Sequence, residues 1–173
     1  MTIFLCGFMG CGKTTVGHAL AKTLGIPLID TDEEIVKHEN MSIPQIFEQK
    51  GEPYFRKIEA EIVCGLCSKN AVIACGGGAM LNNDTASTVK NSGASIVLLD
   101  LNFDECYVRI KDDQNRPIVQ KNTKQQLNEI FDNRLGVYQN NATAAVKLSS
   151  ELKPDESAKR IIEILGINVP TTF

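Results

Sequence analysis

No stretch of this sequence approaches the roughly 20 consecutive apolar residues that a membrane-spanning helix needs. Basic residues are not in excess either: 18 Lys and Arg stand against 21 Asp and Glu, a net charge of −3 at pH 7. That balance argues against an extended nucleic-acid or anionic-membrane surface. It leaves room for a small phosphate-bearing ligand, which needs only a local cluster of donors. The six cysteines (Cys6, Cys11, Cys64, Cys67, Cys75 and Cys106) have no spacing that suggests a disulfide framework. Cys64-Gly-Leu-Cys67 is a C-x-x-C, but it lies in a helical pattern with no second pair and no nearby His, so reduced thiols acting as small hydrophobes are the plainer reading. Internal repeats and low-complexity tracts are absent. The opening MTIFLCGFMG is apolar, yet it lacks a basic segment and glycines cut it short, so it reads as a buried strand and not a signal peptide. The expectation is a cytoplasmic protein.

What is present is an ordinary globular balance, 43% hydrophobic and 23% charged over 173 residues, the size of one domain. Apolar runs at 2–6, 26–30, 71–75, 95–99 and 144–148 read as strands. Between them, apolar residues recur at helical spacing: Val16, Ala19, Leu20 and Leu24; Phe55, Ile58, Ile62 and Leu66; Leu127, Ile130, Phe131 and Leu135; Ala158, Ile161, Ile162 and Leu165. Helices are also expected at 84–91 and from about Phe103 to Ile110. Ser42 and Gln45 form a capping box for a short helix that ends at Gly51, and Pro53 suits the first turn of the next. Residues 111–117 are polar, lack periodicity and read as a mobile excursion. Strands alternating with helices predict a parallel sheet covered on both faces. The strands lack alternation, as doubly buried strands should.

Gly7-Phe-Met-Gly10-Cys11-Gly12-Lys13-Thr14 matches the phosphate-binding pattern G-x-x-x-x-G-K-[ST], between a predicted strand and a predicted helix. Average residue frequencies put a chance match in a chain of this size below about 1%. Glycines let backbone N–H groups turn toward phosphates, and the helix N-terminus adds partial positive charge. Lys13 would reach the β- and γ-phosphates, and Thr14 would offer its hydroxyl to Mg²⁺. Cys11 lies inside the loop, where a helix N-terminus and Lys13 could lower its pKa. The alternative is an inert small residue that fills the loop.

A phosphate loop says nothing of the acceptor. Asp30-Thr31-Asp32 follows the second strand, where carboxylates face the ligand crevice of a parallel sheet; Asp32 could equally cap the next helix. Arg56 and Glu59 stand i,i+3 on one helix. A carboxylate there would orient the guanidinium toward an anion, unless the pair is only a surface salt bridge. Gly76-Gly77-Gly78 ends the third strand and offers close backbone approach, or else a bare turn. Arg116 in the polar excursion and Arg134 on a later helix are further cations, or simply solvated.

Together these residues resemble the shikimate kinase family. The matching segments are GFMGCGKT, DTD at 30–32, IFEQKGEPYFRKIEAE at 46–61, GGG at 76–78, RP at 116–117 and RLGVY at 134–138, in order and spacing over nearly the whole chain. The resemblance implies a single three-layer α/β/α P-loop kinase domain over 1–173. Its five-stranded parallel sheet would be ordered 2-3-1-4-5, with a shikimate-binding region at 32–60 and a mobile lid at 111–123. It implies ATP on Gly10, Cys11, Gly12, Lys13, Thr14 and Thr15, with Arg109 packing on adenine, Pro154 in the loop beside it and Arg116 on the transferring phosphoryl group. Mg²⁺ would be held by Thr14 and, through water, Asp30. Shikimate would contact Asp32, the candidate base, together with Phe47, Phe55, Arg56, Gly77, Gly78 and Arg134, with Glu59 orienting Arg56. The implied reaction moves the γ-phosphoryl of ATP to the 3-hydroxyl of shikimate, a step of chorismate and aromatic amino acid biosynthesis, in a monomeric enzyme. Three features depart from the family pattern: Cys11 in the loop, Ile118-Val119 where leucines are common, and an acidic lid with Asp112 and Asp113.

Two rival readings share parts of this pattern. A gluconate or nucleoside monophosphate kinase would keep the phosphate loop but should lack the joint Arg56/Glu59, triple-glycine and Arg134 arrangement. A nucleotide-binding switch without catalysis would need no acceptor site, and ADP release that depends on shikimate separates it from a kinase.

Overall fold

The computed structural model describes residues 1–113 and 117–168. The elements are β1 (Thr2–Cys6), α1 (Lys13–Leu24), β2 (Leu28–Asp30), α2 (Thr31–Glu39), α3 (Ile43–Gly65), β3 (Ala71–Ala74), a 3-10 turn (Ala79–Leu81), α4 (Asn83–Asn91), β4 (Ser95–Asp100), α5 (Phe103–Ile110), α6 (Pro117–Gln120), α7 (Lys124–Asn141), β5 (Ala144–Lys147) and α8 (Pro154–Ile164). All five strands pair in parallel in the order β2-β3-β1-β4-β5. That order agrees with the one the family resemblance implies. Periodicity alone could not supply it.

Strand β1 is central. Phe4 and Leu5, with Val72 and Ile73 on β3 and Ile96 and Val97 on β4, are completely buried, the continuous apolar pattern of strands covered on both faces. Edge strand β5 departs from that expectation: Val146 is buried while Ala145 and Lys147 are exposed. Right-handed crossovers set the layers. The step from β1 to β2 runs one way along the sheet and places α1 on one face. The steps from β2 to β3, β3 to β4 and β4 to β5 run the other way and place α3, α4 and α7 on the opposite face. Helix α8 then packs back on α1. Because every strand points the same way, the segments after β1, β2 and β3 converge on one edge of the sheet, where ligands bind in such folds.

Two local features shape that edge. Helix α2 was not legible as an element of its own. Its N-cap is Asp30, whose Oδ1 accepts the Asp32 N–H at 2.9 Å, so the capping role considered for Asp32 belongs to its neighbour. The two helices expected around Gly51 form one span, α3, with a kink where Gly51 adopts φ 81° and ψ 166°. The Ser42–Gln45 capping box opens it as expected, with the Ser42 N–H donating to Gln45 Oε1 at 2.9 Å.

The kink lets α3 fold against α2 around a small second core of Ile35, Ile46, Phe55 and Ile58, separate from the main one. Each such side chain contributes about 1.5–3 kcal/mol by leaving water. Glu39 at the end of α2 accepts from Lys50 Nζ at 2.5 Å and from the Tyr54 hydroxyl at 3.1 Å, which ties the pair at its rim. Short helix α6 begins at the last residue of the polar excursion at 111–117 and continues beyond it.

Candidate active site

The loop after β1 takes its shape from its glycines. Gly10 and Gly12 have φ of 81° and 98°, conformations that cost little only without a Cβ. A Cβ on Gly10 would also stand 2.8 Å from the Cys106 carbonyl oxygen, so α5 packs directly on the loop. Gly12 is the N-cap of α1 and brings no side-chain cap, which leaves the first N–H groups of the helix pointing into the loop. Lys13 Nζ donates to the carbonyls of Gly7 at 2.9 Å and Phe8 at 3.2 Å, so its ammonium sits on the phosphate loop itself. The exposed Thr14 and Thr15 follow in the first turn of α1, and Thr14 Oγ1 lies 3.3 Å from Asp30 Oδ2.

Cys11 is 1% exposed. Its side chain turns inward, with Sγ 3.8 Å from Lys13 Nζ, which favours the plainer reading of a small residue filling the loop. Burial pushes the thiols of Cys6 and Cys106 up to about 12, so these neighbours are protonated hydrophobes. Cys64 is raised by burial too, and among the described residues no three His, Cys, Asp or Glu side chains gather as a metal site.

The acceptor candidates meet at the ends of β2 and β3. Arg56 Nη1 donates to Glu59 Oε2 at 2.7 Å, and Nε and Nη2 lie 3.3 Å from Glu52 Oε1. Glu59 is 3% exposed, so this is no surface salt bridge. Burial raises the Glu59 pKa above the usual carboxylate value; Arg56 opposes that rise and Asp32 adds to it. Asp32 and Glu59 converge over Gly76, where a Cβ would stand 2.6 Å from Asp32 Oδ1 and 2.9 Å from Glu59 Oε1. Gly78 lies against the Arg56 guanidinium, and a Cβ on Gly77 would stand 3.9 Å from Arg134 Nη1. Arg56, Glu59, Gly78 and Arg134 line one open cleft of about 300 Å³. Phe55 stacks on Phe47 with centroids 4.7 Å apart, and the Arg56 guanidinium lies 5.2 Å from the Phe55 ring.

Arg109 is exposed on α5 and donates through Nη1 to the Gly10 carbonyl at 3.0 Å, which places it at the rim of the phosphate loop. Pro154 opens α8 and is exposed. The segment before it is tied to α5 where the Ser150 N–H donates to the Glu105 carboxylate. Arg116 lies outside the described residues. Two residues that the sequence reading assigned no role hold the triple-glycine segment. Buried Thr31 accepts the Gly76 N–H at 2.8 Å, and the Tyr138 hydroxyl donates to the Gly77 carbonyl. Both lie inside quoted motifs, but nothing in their spacing points to glycines 45 and 61 positions away.

Comparison with known proteins agrees with this geometry. Residues 9–166 match the family described as shikimate kinase. The shikimate kinase of Aquifex aeolicus is 41% identical over 163 residues, 94% of either chain. Its crystal structure superposes with a TM-score of 0.84 at 39% identity, covering 99% of this chain and all of that one. The shikimate kinase of Acinetobacter baumannii in complex with shikimate gives a TM-score of 0.88 at 33% identity, covering 95% of this chain and 92% of that one. With its phosphate loop, its paired Arg56 and Glu59 and its cleft at the tip of β3, the chain belongs to the shikimate kinase family.

Proposed function

We propose that this chain transfers the γ-phosphoryl group of ATP to the 3-hydroxyl of shikimate, giving shikimate 3-phosphate and ADP. The observation that carries this reading is the pairing of two anion sites on one sheet edge. One is the amide loop with Lys13. The other is the cleft holding Arg56 and Arg134, and Asp32 stands beside it. Arg56 and Arg134 bind the carboxylate of shikimate, and the buried Glu59 carboxylate aims the Arg56 fork. Gly77 and Gly78 offer backbone groups to the ring hydroxyls, and Phe47 and Phe55 back the ring. Asp32 orients the reacting hydroxyl and accepts its proton, a modest demand in a loose phosphoryl transfer.

Lys13, the amides of 10–15 and Arg116 bind the phosphates and neutralise charge that grows in the transition state. Arg109 and Pro154 flank the adenine. Thr14 and Asp30 fit Mg²⁺, since both are hard oxygen groups: the Thr14 hydroxyl would hold the ion directly and the Asp30 carboxylate would hold it through water. When bound there, the ion supplies positive charge to the phosphate oxygens.

We read residues 1–173 as one kinase domain in which 32–60, carried on its own small core, receives shikimate and 111–123 closes as a lid that excludes water. We also read the enzyme as a cytoplasmic monomer. No described helix is long and apolar enough to cross a membrane.

The test is incubation with ATP, Mg²⁺ and a panel of hydroxy acids and nucleoside monophosphates, with ADP measured. Shikimate alone should stimulate ADP release. Equal or greater release with gluconate or a nucleoside monophosphate would overturn the substrate assignment, and no stimulation by any acceptor would leave an ATP binder only.

A further inference from the structure

The triple-glycine segment has a mechanical problem. A Gly–Gly peptide can rotate between neighbouring orientations at little cost, because neither flanking residue has a Cβ to restrict φ and ψ. Yet the donors of this segment can serve a ligand only if its peptide planes are set in advance. The three carbonyls are each engaged. Gly76 accepts the Ala79 N–H at 3.2 Å, and Gly78 accepts the Leu81 N–H at 3.0 Å. Both of those ties are local. The Gly77 carbonyl is held differently, by the hydroxyl of Tyr138 on α7.

We propose that Tyr138 is a positioning residue for the acceptor site: its hydroxyl selects one orientation of the Gly77–Gly78 peptide and holds that peptide in register with Arg134, one helical turn away on α7. A trans peptide is planar, and its C=O and N–H point in opposite directions. With the Gly77 carbonyl directed at Tyr138, the Gly78 N–H is directed away from it. Tyr138 is 2% exposed, so its ring is fixed by packing and its hydroxyl has little freedom. Burial pushes the phenol pKa up against the opposing charge of Arg134, so the group stays a donor throughout the working range. The next turn of α7 adds a second tie to the same segment: Asn141 Nδ2 donates to the Met80 carbonyl at 2.9 Å and to Asn83 Oδ1 at 3.0 Å. One helix thus carries a substrate-facing arginine, the tyrosine that sets a substrate-facing peptide, and an asparagine that anchors the turn behind it. This inference rests on the assignment of Arg134 and Gly78 to shikimate.

Tyr138→Phe tests it, because it removes one oxygen and leaves the packed ring. Three titrations are compared: shikimate binding, ATP binding and thermal unfolding, together with the split between KM and kcat. Loss of the hydroxyl leaves the Gly77 carbonyl without its donor, so shikimate Kd and KM should rise about 10-fold while kcat and ATP affinity stay within about threefold. Thr143→Val is the control for structure alone: its hydroxyl bonds the Ile96 backbone at the start of β4, at the far end of the sheet from the glycine segment, so its loss should lower the melting temperature with shikimate affinity within about twofold of the parent. If Tyr138→Phe behaves like that control, Tyr138 is a packing residue and the proposal is wrong. Arg134→Ala separates the two levels. If it weakens shikimate and Tyr138→Phe does not, the substrate reading stands and the positioning role falls; if Arg134→Ala leaves shikimate binding intact, the reading and the proposal fall together.

Discussion

Gly78→Ala should separate substrate binding from stability in this protein. Gly78 has φ −97° and ψ −18°, which alanine adopts without strain, so the backbone has no objection to the change. Restricting the unfolded chain even adds about 0.4–1 kcal/mol of stability. The obstacle is Arg56. The new methyl group would collide with Arg56 Nη1, the nitrogen that holds Glu59, and would stand 2.6 Å from Cζ and 3.0 Å from Nη2, against an ordinary contact of about 3.5–4 Å. The guanidinium must therefore retreat by roughly 1.5–2 Å. It is the far end of a flexible side chain, so it can pivot and keep one nitrogen on Glu59, now 2.7 Å from Nη1. Complete loss of that partner would strand a buried carboxylate at a cost of about 3–5 kcal/mol; a pivot avoids it.

A charged hydrogen bond to substrate is worth about 1.5–3 kcal/mol, and misplacement by an ångström costs up to about 10²-fold in rate. We expect kcat/KM for shikimate to fall about 10- to 100-fold while ATP affinity is unchanged and the unfolding free energy moves by less than about 1 kcal/mol. Steady-state kinetics against both substrates and a denaturant titration measure these. Unchanged shikimate kinetics would refute the packing argument. A stability loss of several kcal/mol would show that Arg56 cannot pivot and that the pair with Glu59 breaks.

Asp32→Ala should lower turnover by about 10²–10⁴-fold and leave nucleotide binding intact; near-normal turnover in a coupled ADP assay would overturn its role. Glu59 has a folded pKa above the usual carboxylate value of 4.5. Its contribution to stability is therefore fully present below the unfolded pKa and is lost as pH rises through the folded one. Protonation also releases Arg56, so shikimate KM should climb as pH falls through that raised value, ahead of exposed carboxylates. Glu59→Gln should flatten this acid limb, and an unaltered pH profile would count against the link. Cys11, 1% exposed, should resist alkylation in the native enzyme while the half-buried Cys67 reacts first. Rapid inactivation that ATP prevents, with the label on Cys11 by mass spectrometry, would contradict the burial.

The sequence by itself determined the elements whose cause is local. The phosphate loop is a contiguous run of eight residues, and its glycines, lysine and threonine act on backbone beside them. The capping box at Ser42, the pairing of Arg56 with Glu59 one turn apart, and the apolar strands 2–6, 71–75 and 95–99 are likewise set by neighbours in the chain. Strand order was legible only through likeness to a family, because pairing of β1 with both β3 and β4 joins segments about 70 and 90 residues apart.

Tertiary structure alone decided the rest. Helix α2 was obscured because its cap, Asp30, was read for metal binding; one carboxylate meets both Thr14 and the Asp32 N–H. The second core under α3 depends on the fold at Gly51, a backbone conformation that no side-chain pattern reports. Burial of Cys11 and Glu59 depends on what packs over them. The clamps on the glycine segment, Thr31 and Tyr138, come from two different helices. A hydroxyl in a sequence gives no sign of its distant partner, since a hydrogen bond reaches about 3 Å in space and is indifferent to how much chain lies between donor and acceptor.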